Sequence, residues 1–167
     1  MFDDFRTKAY EVIISDKSLK RLVNESEVSN LLRFTPQIDP SDEIITLQNK
    51  HKKLAMASDK LSIIKATAHM YRRFYEGKID EIKARVQTEN MSGNVKITEA
   101  GKYAEYKSIH IGGQDWSVPI MQERKIAFKF WEDVFTEKLK LVMSVLEDLK
   151  TFISLEKQKL YKGIAHE

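Results

Sequence analysis

The side chains of this 167-residue chain that could do chemistry are four histidines, a scatter of carboxylates and a concentrated set of lysines and arginines. His51, His69, His110 and His166 fall in no His-Glu-x-x-His or other ligand spacing, so they predict no metal centre. Cysteine is absent, which removes thiolate ligands, thiol nucleophiles and a disulfide framework, and which suits a reducing compartment. The carboxylate pairs Glu76/Asp80 and Asp133/Glu137 have i,i+4 spacing, the mark of solvated ion-pairing helix faces rather than of general acid–base pairs. Gly112-Gly113-Gln114-Asp115 is not followed by Gly-Lys-Ser/Thr and reads as a turn, not a phosphate-binding loop. No serine sits in a Gly-x-Ser-x-Gly elbow. A small nucleic-acid-acting enzyme or inhibitor would have only Glu105, His110 and Asp115 to work with, in no recognisable site geometry. The chain is therefore expected to be no enzyme and to need no cofactor.

The cations tell more. The formal net charge is only +3, yet residues 50–87 carry ten basic and four acidic side chains. Localised positive charge is how a polyanion site looks in a sequence. Lys50, Lys52, Lys53, Lys60, Lys65, Arg72, Arg73 and Lys78 lie in this stretch, with His69, Tyr71, Phe74 and Tyr75 interleaved. Cations neutralise phosphates and release counterions, and aromatic faces stack on unpaired bases without demanding a sequence. Lys60, Lys65, His69, Tyr71, Arg72, Arg73, Tyr75 and Lys78 are thus the candidate contacts to single-stranded nucleic acid. The plainer reading is that the lysines solvate the outer face of a coiled coil while the aromatics fill its end.

The elements that must position these residues are mostly helical. Residues 1–40 read as short helical pieces: Phe5, Ala9, Val12 and Ile13 keep helical spacing, Leu19, Leu22 and Val23 form a second small face, and Ser26 opens a third. Pro36 and Pro40 break the pattern, and Asp39 or Ser41 can cap the next helix. Over residues 41–87, Leu47, Leu54, Leu61, Ala68, Tyr75 and Ile82 recur every seven residues, with Ala57, Ile64 and Tyr71 three residues after their respective repeats. This heptad stripe predicts a long coiled-coil helix. Residues 88–118 are a turn-rich connection in which Val95–Thr98 and Tyr106–Ile111 could pair as a small hairpin. Pro119 opens a second long helix over residues 119–163. Phe128, Trp131, Phe135, Val142 and Leu149 are flanked there by the series Leu139, Leu146 and Ile153. That apolar sector is wider than a two-helix seam needs and predicts burial both on the N-terminal pieces and on other subunits. The expected fold is all-α: one domain, a long antiparallel helical hairpin with short N-terminal helices. Charged residues make up 32% and apolar residues 42%, no stretch is long and apolar enough to span a bilayer, and the acidic N-terminus does not look like a signal peptide. A cytoplasmic protein with no membrane partner is expected.

A basic helix ending in Phe74-Tyr75-Glu76-Gly77-Lys78, a variable connection, and an aromatic-rich helix with Phe128, Phe130 and Trp131 that closes at Leu160-Tyr161-Lys162-Gly163 together resemble the UvsY-type recombination mediators of T-even-like bacteriophages. The resemblance covers residues 44–163 in the order of elements, through short motifs. It implies a ring-like homo-oligomer in host cytoplasm that binds single-stranded DNA and loads a RecA-like recombinase by displacing single-strand-binding protein. The family's Lys-Ala-Arg motif for DNA contact aligns with Lys65-Ala66-Thr67, so that Lys65 matches and Thr67 replaces the arginine, with Arg72 and Arg73 one to two turns later. The competing expectation is a helical scaffold, chaperone or assembly adaptor with no nucleic-acid role.

Overall fold

With no proline and only Gly77 between Asp42 and Gln87, nothing stops the first heptad stripe, and in the computed structural model it forms one helix, α1 (Ile44–Glu89). A second helix of similar length, α3 (Val118–Ile164), takes up Pro119 in its first turn, where a missing N–H costs nothing. Between them lie α2 (Ile97–Ala104) and a two-stranded antiparallel sheet of β1 (Ser108–Ile111) and β2 (Gln114–Ser117). The structure describes residues 30–31, 33–34, 37–39, 41–89, 96–111 and 113–164. The expected helices on Phe5 to Val23, and Ser26 as a cap, lie outside these; Asn30, Leu31 and Arg33 are helical.

The fold is mostly α, as the periodicity predicts, with two long helices packed against each other. Leu47, Leu54, Ala57, Leu61, Ile64, Ala68, Tyr75 and Ile82 of the stripe are all buried. Two local expectations are corrected. Asp39 does not cap α1: its carboxylate accepts hydrogen bonds from the Ser41 backbone N–H (2.9 Å) and hydroxyl (2.7 Å) one turn earlier, while Glu43 O takes the first helical bond, from Leu47 N–H. The hairpin pairs Ser108–Ile111 with Gln114–Ser117, not with Val95–Thr98, because Gly113 has φ +84° and makes the tight reversal, whereas Ile97 and Thr98 begin α2.

The described residues divide into two compact units, those within 66–132 and those within 20–65 and 133–167. Each long helix contributes to both. In the first, the aromatic unit, Tyr71 stacks on Phe128 at 5.2 Å and Tyr75 on the same ring at 5.8 Å. Tyr75 also meets Trp116 at 5.7 Å, which holds the hairpin against α1. Its further core is Ile79, Ile82, Val86, Ala104, Val118, Met121 and Trp131. The second, the lysine unit, buries Leu31, Leu47, Leu54, Leu61 and Ile64 from its N-terminal part, and Phe135, Val142, Leu146 and Leu149 from α3. Ser58 Oγ donates to Met143 Sδ at 3.3 Å within it. Lys138 Nζ donates to the Phe34 carbonyl at 2.5 Å, and burial pushes the Lys138 ammonium below its ordinary pKa. No helix among the described residues is long and apolar enough to cross a membrane.

Candidate nucleic-acid interface

The cations of α1 fall into two environments. In the aromatic unit, the Phe128–Tyr71 stack sets the helices in register and brings carboxylates of α3 against the basic turn of α1. Arg72 Nε donates to Glu132 Oε2 at 2.7 Å, and His69 Nδ1 donates to Glu132 Oε1 at 3.0 Å. Arg73 donates to Glu76 Oε2 at 3.0 Å, Arg72 also reaches Glu76 at 3.7 Å, and Lys125 approaches the same carboxylate at 3.6 Å. Lys78 donates to Glu81 at 2.8 Å, and Arg85 pairs with the same residue. Burial opposes charge on Glu132, but the hydrogen bonds from His69 and Arg72 outweigh it and hold its carboxyl below the usual range. Hydrogen bonding from Arg73 lowers Glu76 likewise, and that from Lys78 lowers Glu81.

The expected stacking aromatics are engaged as well. Tyr75 is 3% exposed and Tyr71 lies half-buried on Phe128, so both rings already have partners. Trp116, half-buried on the hairpin, is covered on one face by the Arg124 guanidinium at 4.6 Å. Five expected contacts (His69, Tyr71, Arg72, Tyr75 and, through Glu76, Arg73) are therefore brought together, but as one intramolecular network.

The lysine unit differs. Lys52, Lys53 and Lys60 are exposed and Lys65 is half-exposed. In α1 between Lys50 and Arg73 the only acidic residue is Asp59. Lys52, Lys53 and Lys65 form no ion pair with another described residue; Lys50, by contrast, pairs with Asp42. Lys53 and Lys60 are seven residues apart and share one face of α1, while Lys65 flanks the opposite side of the buried stripe.

The residues expected to join subunits are in the chain's own core. Phe128, Trp131, Phe135, Val142 and Leu149 are 2% exposed or less, Leu146 is buried, and Leu139 and Ile153 are half-buried. Part of the apolar sector of α3 is thus used within the chain, while Leu141, Met143, Leu155 and Leu160 of the same helix are exposed. The large apolar side chains that do face solvent on α1 are Ile45, Met56, Ile63, Met70 and Phe74. Periodicity alone does not reveal Glu132, the anchor of the basic turn, sixty residues from Arg72. Laying the two apolar stripes antiparallel with Tyr71 opposite Phe128 finds it.

Glu105 and Asp115 are exposed, and His110 donates from Nδ1 to Asp115 at 2.9 Å on the open face of the hairpin. Among the described residues no group of three or more His, Cys, Asp or Glu side chains could hold a metal ion. Compared with known proteins, the chain matches no family model, no curated protein and no solved structure.

Proposed function

We propose that this chain is a non-catalytic, single-stranded-DNA-binding recombination mediator, acting as a homo-oligomer to load a RecA-like recombinase onto DNA covered by single-strand-binding protein. The observation that supports DNA contact is the set of lysines along α1 in the lysine unit, Lys52, Lys53, Lys60 and Lys65, facing solvent with one carboxylate among them. The partner proteins rest on the sequence resemblance alone. Lysines on a helix are point charges that hold phosphates without reading bases, which suits a protein that must accept any sequence. A few contacts per subunit bind weakly, so useful affinity comes from several subunits on one strand.

The test is fluorescence anisotropy of labelled oligo-dT across a salt series. Wild type should bind at about 50 mM salt and weaken steeply as salt rises. Lys53/Lys60/Lys65→Ala should reduce the log–log salt slope by about 2, at roughly 0.7 per lost phosphate contact on a single strand. Unchanged binding by that variant removes this reading.

One observation favours the scaffold or adaptor reading instead: the basic turn of the aromatic unit is neutralised by Glu132 and Glu76. On that reading oligo-dT does not bind at about 50 mM salt, and the chain co-purifies in fixed ratio with a protein partner.

A further inference from the structure

Beyond Leu149 the character of α3 changes. Residues 150–162 carry Lys150, Lys157, Lys159 and Lys162 against the single carboxylate Glu156, and no described residue there is buried. That carboxylate is taken by Lys159 at 2.6 Å. Lys150, Ser154, Lys157 and Tyr161 are spaced 4-3-4, so they stand on one face of the helix, and all four are exposed. Lys150 and Lys157 form no ion pair with another described residue, although Glu147 lies one turn before Lys150. Tyr161 is 74% exposed.

The contact of Ser58 Oγ with Met143 Sδ fixes the flank of the lysine unit to which this face belongs. Lys65 follows Ser58 by seven residues on α1, and Lys150 and Lys157 follow Met143 by seven and fourteen on α3. Seven residues return a helix to nearly the same side, so Lys65, Lys150 and Lys157 lie along one flank. The helices run antiparallel, as Ser58 meeting Met143 and Tyr71 meeting Phe128 require. Lys65 and Lys150 therefore stand on opposite sides of the Ser58–Met143 contact, each about 10 Å from it along the axis, with Lys157 about 10 Å further on. Tyr161 lies one turn beyond. The flank is a row of cations that ends in an exposed ring.

We infer that this row holds single-stranded DNA, with phosphates on Lys65, Lys150 and Lys157 and a base stacked on Tyr161. The inference rests on the reading of the chain as a single-strand binder, and adds to it a second helix and a stacking ring. Charge complementarity selects the occupant: ammonium groups without carboxylate partners take a polyanion. The ring narrows it to unpaired bases, because the bases of a duplex are already stacked on one another and an acidic peptide has none to offer. The basic turn of α1 supplies no such ring, since Tyr71 and Tyr75 are stacked on Phe128.

The test uses the full chain and oligo-dT carrying 5-iodouracil, which on irradiation bonds to an aromatic ring stacked on it. Peptide mass mapping should find the cross-link at Tyr161. Tyr106 is more exposed, at 88%, but its neighbour Lys107 is paired with Glu89 at 3.0 Å, so Tyr106 should stay unmodified. Tyr161→Ala should weaken oligo-dT binding about tenfold with the log–log salt slope unchanged, because a stacked base is lost and no phosphate contact is. Tyr161→Phe keeps the ring and should bind as wild type. Lys150/Lys157→Ala should lower the slope by about 1.4, at roughly 0.7 per phosphate contact. These side chains are exposed, so circular dichroism should be unaltered in every variant. Cross-linking at Tyr106 in preference to Tyr161 would overturn the inference, as would a Tyr161→Ala chain that binds as wild type. Loss of binding in Lys53/Lys60/Lys65→Ala, with wild-type binding in Lys150/Lys157→Ala and Tyr161→Ala, would overturn this inference alone. Binding that survives the first change and falls with the other two would support it and remove the assignment of the strand to the α1 lysines.

Discussion

The two halves of α1 use the same residue types to opposite ends. From Lys52 to Lys65 the lysines stand in solvent over a plain aliphatic core of Leu54, Leu61 and Ile64. From His69 to Lys78 the cations meet Glu132, Glu76 and Glu81, and the neighbouring rings meet Phe128 and Trp116. In sequence the second half looks the better polyanion site, because cations and aromatics are interleaved there. In three dimensions its cations are the paired ones, with Arg73 and His69 still reaching solvent. Interleaving at three- to four-residue spacing is what a helix–helix interface also produces: the rings fill the seam and the cations rim it, where the facing helix supplies carboxylates.

This contrast can be broken most severely at the ring stack. Phe128→Ala removes a fully buried ring that carries Tyr71 and Tyr75, and should destabilise the aromatic unit by about 3–5 kcal/mol in denaturant unfolding. A folded chain that merely dissociates would instead place Phe128 between subunits. Next comes the carboxylate anchor. Glu132→Gln leaves Arg72 and His69 short of their partner and should cost roughly 1–3 kcal/mol. Its oligo-dT affinity should stay within about twofold of wild type, since charge–charge effects on solvated lysines elsewhere are screened; a large gain would mean that Glu132 was masking a DNA site.

Acid sharpens the same point. Glu132, Glu76 and Glu81 all have carboxyl groups held below their ordinary range. A depressed folded-state pKa contributes stability above the unfolded-state value, about 4.3 for Glu, and that stability is lost as pH falls through the folded-state values. Circular dichroism melts should therefore show the transition temperature constant from neutrality to about pH 5 and falling below about pH 4. Glu132→Gln should make that fall shallower. The smallest effect is at the hairpin: Gly113→Ala forces a side chain into φ +84° with open space around it, and should cost about 1 kcal/mol through backbone strain alone.

The long-range parts of the fold are legible in the sequence because one period runs uninterrupted for many turns. The seven-residue series from Leu47 to Ile82 is buried throughout, and the expected limits of both long helices lie within three residues of the observed ones. The partner strand of the hairpin is obscured because Val95–Thr98 is richer in β-branched residues than Gln114–Ser117, although the Gly112-Gly113 turn between Ile111 and Gln114 is the signal that points to the observed pair. The paired cluster is hidden for another reason: periodicity defines each helix face but not which residues of α1 and α3 stand opposite. Arg72 and Glu132 are each ordinary surface residues until Tyr71 and Phe128 stack.

The most direct measurement compares the two halves of α1 in one assay. Lys53/Lys60/Lys65→Ala and Arg72/Arg73→Ala are titrated with labelled oligo-dT at about 50 and 200 mM salt, after circular dichroism confirms that each is folded. If the open lysines hold the strand, the first variant loses at least tenfold in affinity and most of its salt dependence, while the second stays within about twofold of wild type. The reverse order, with the arginine variant losing binding and the lysine variant retaining it, would contradict the division of α1 into an open and a paired half.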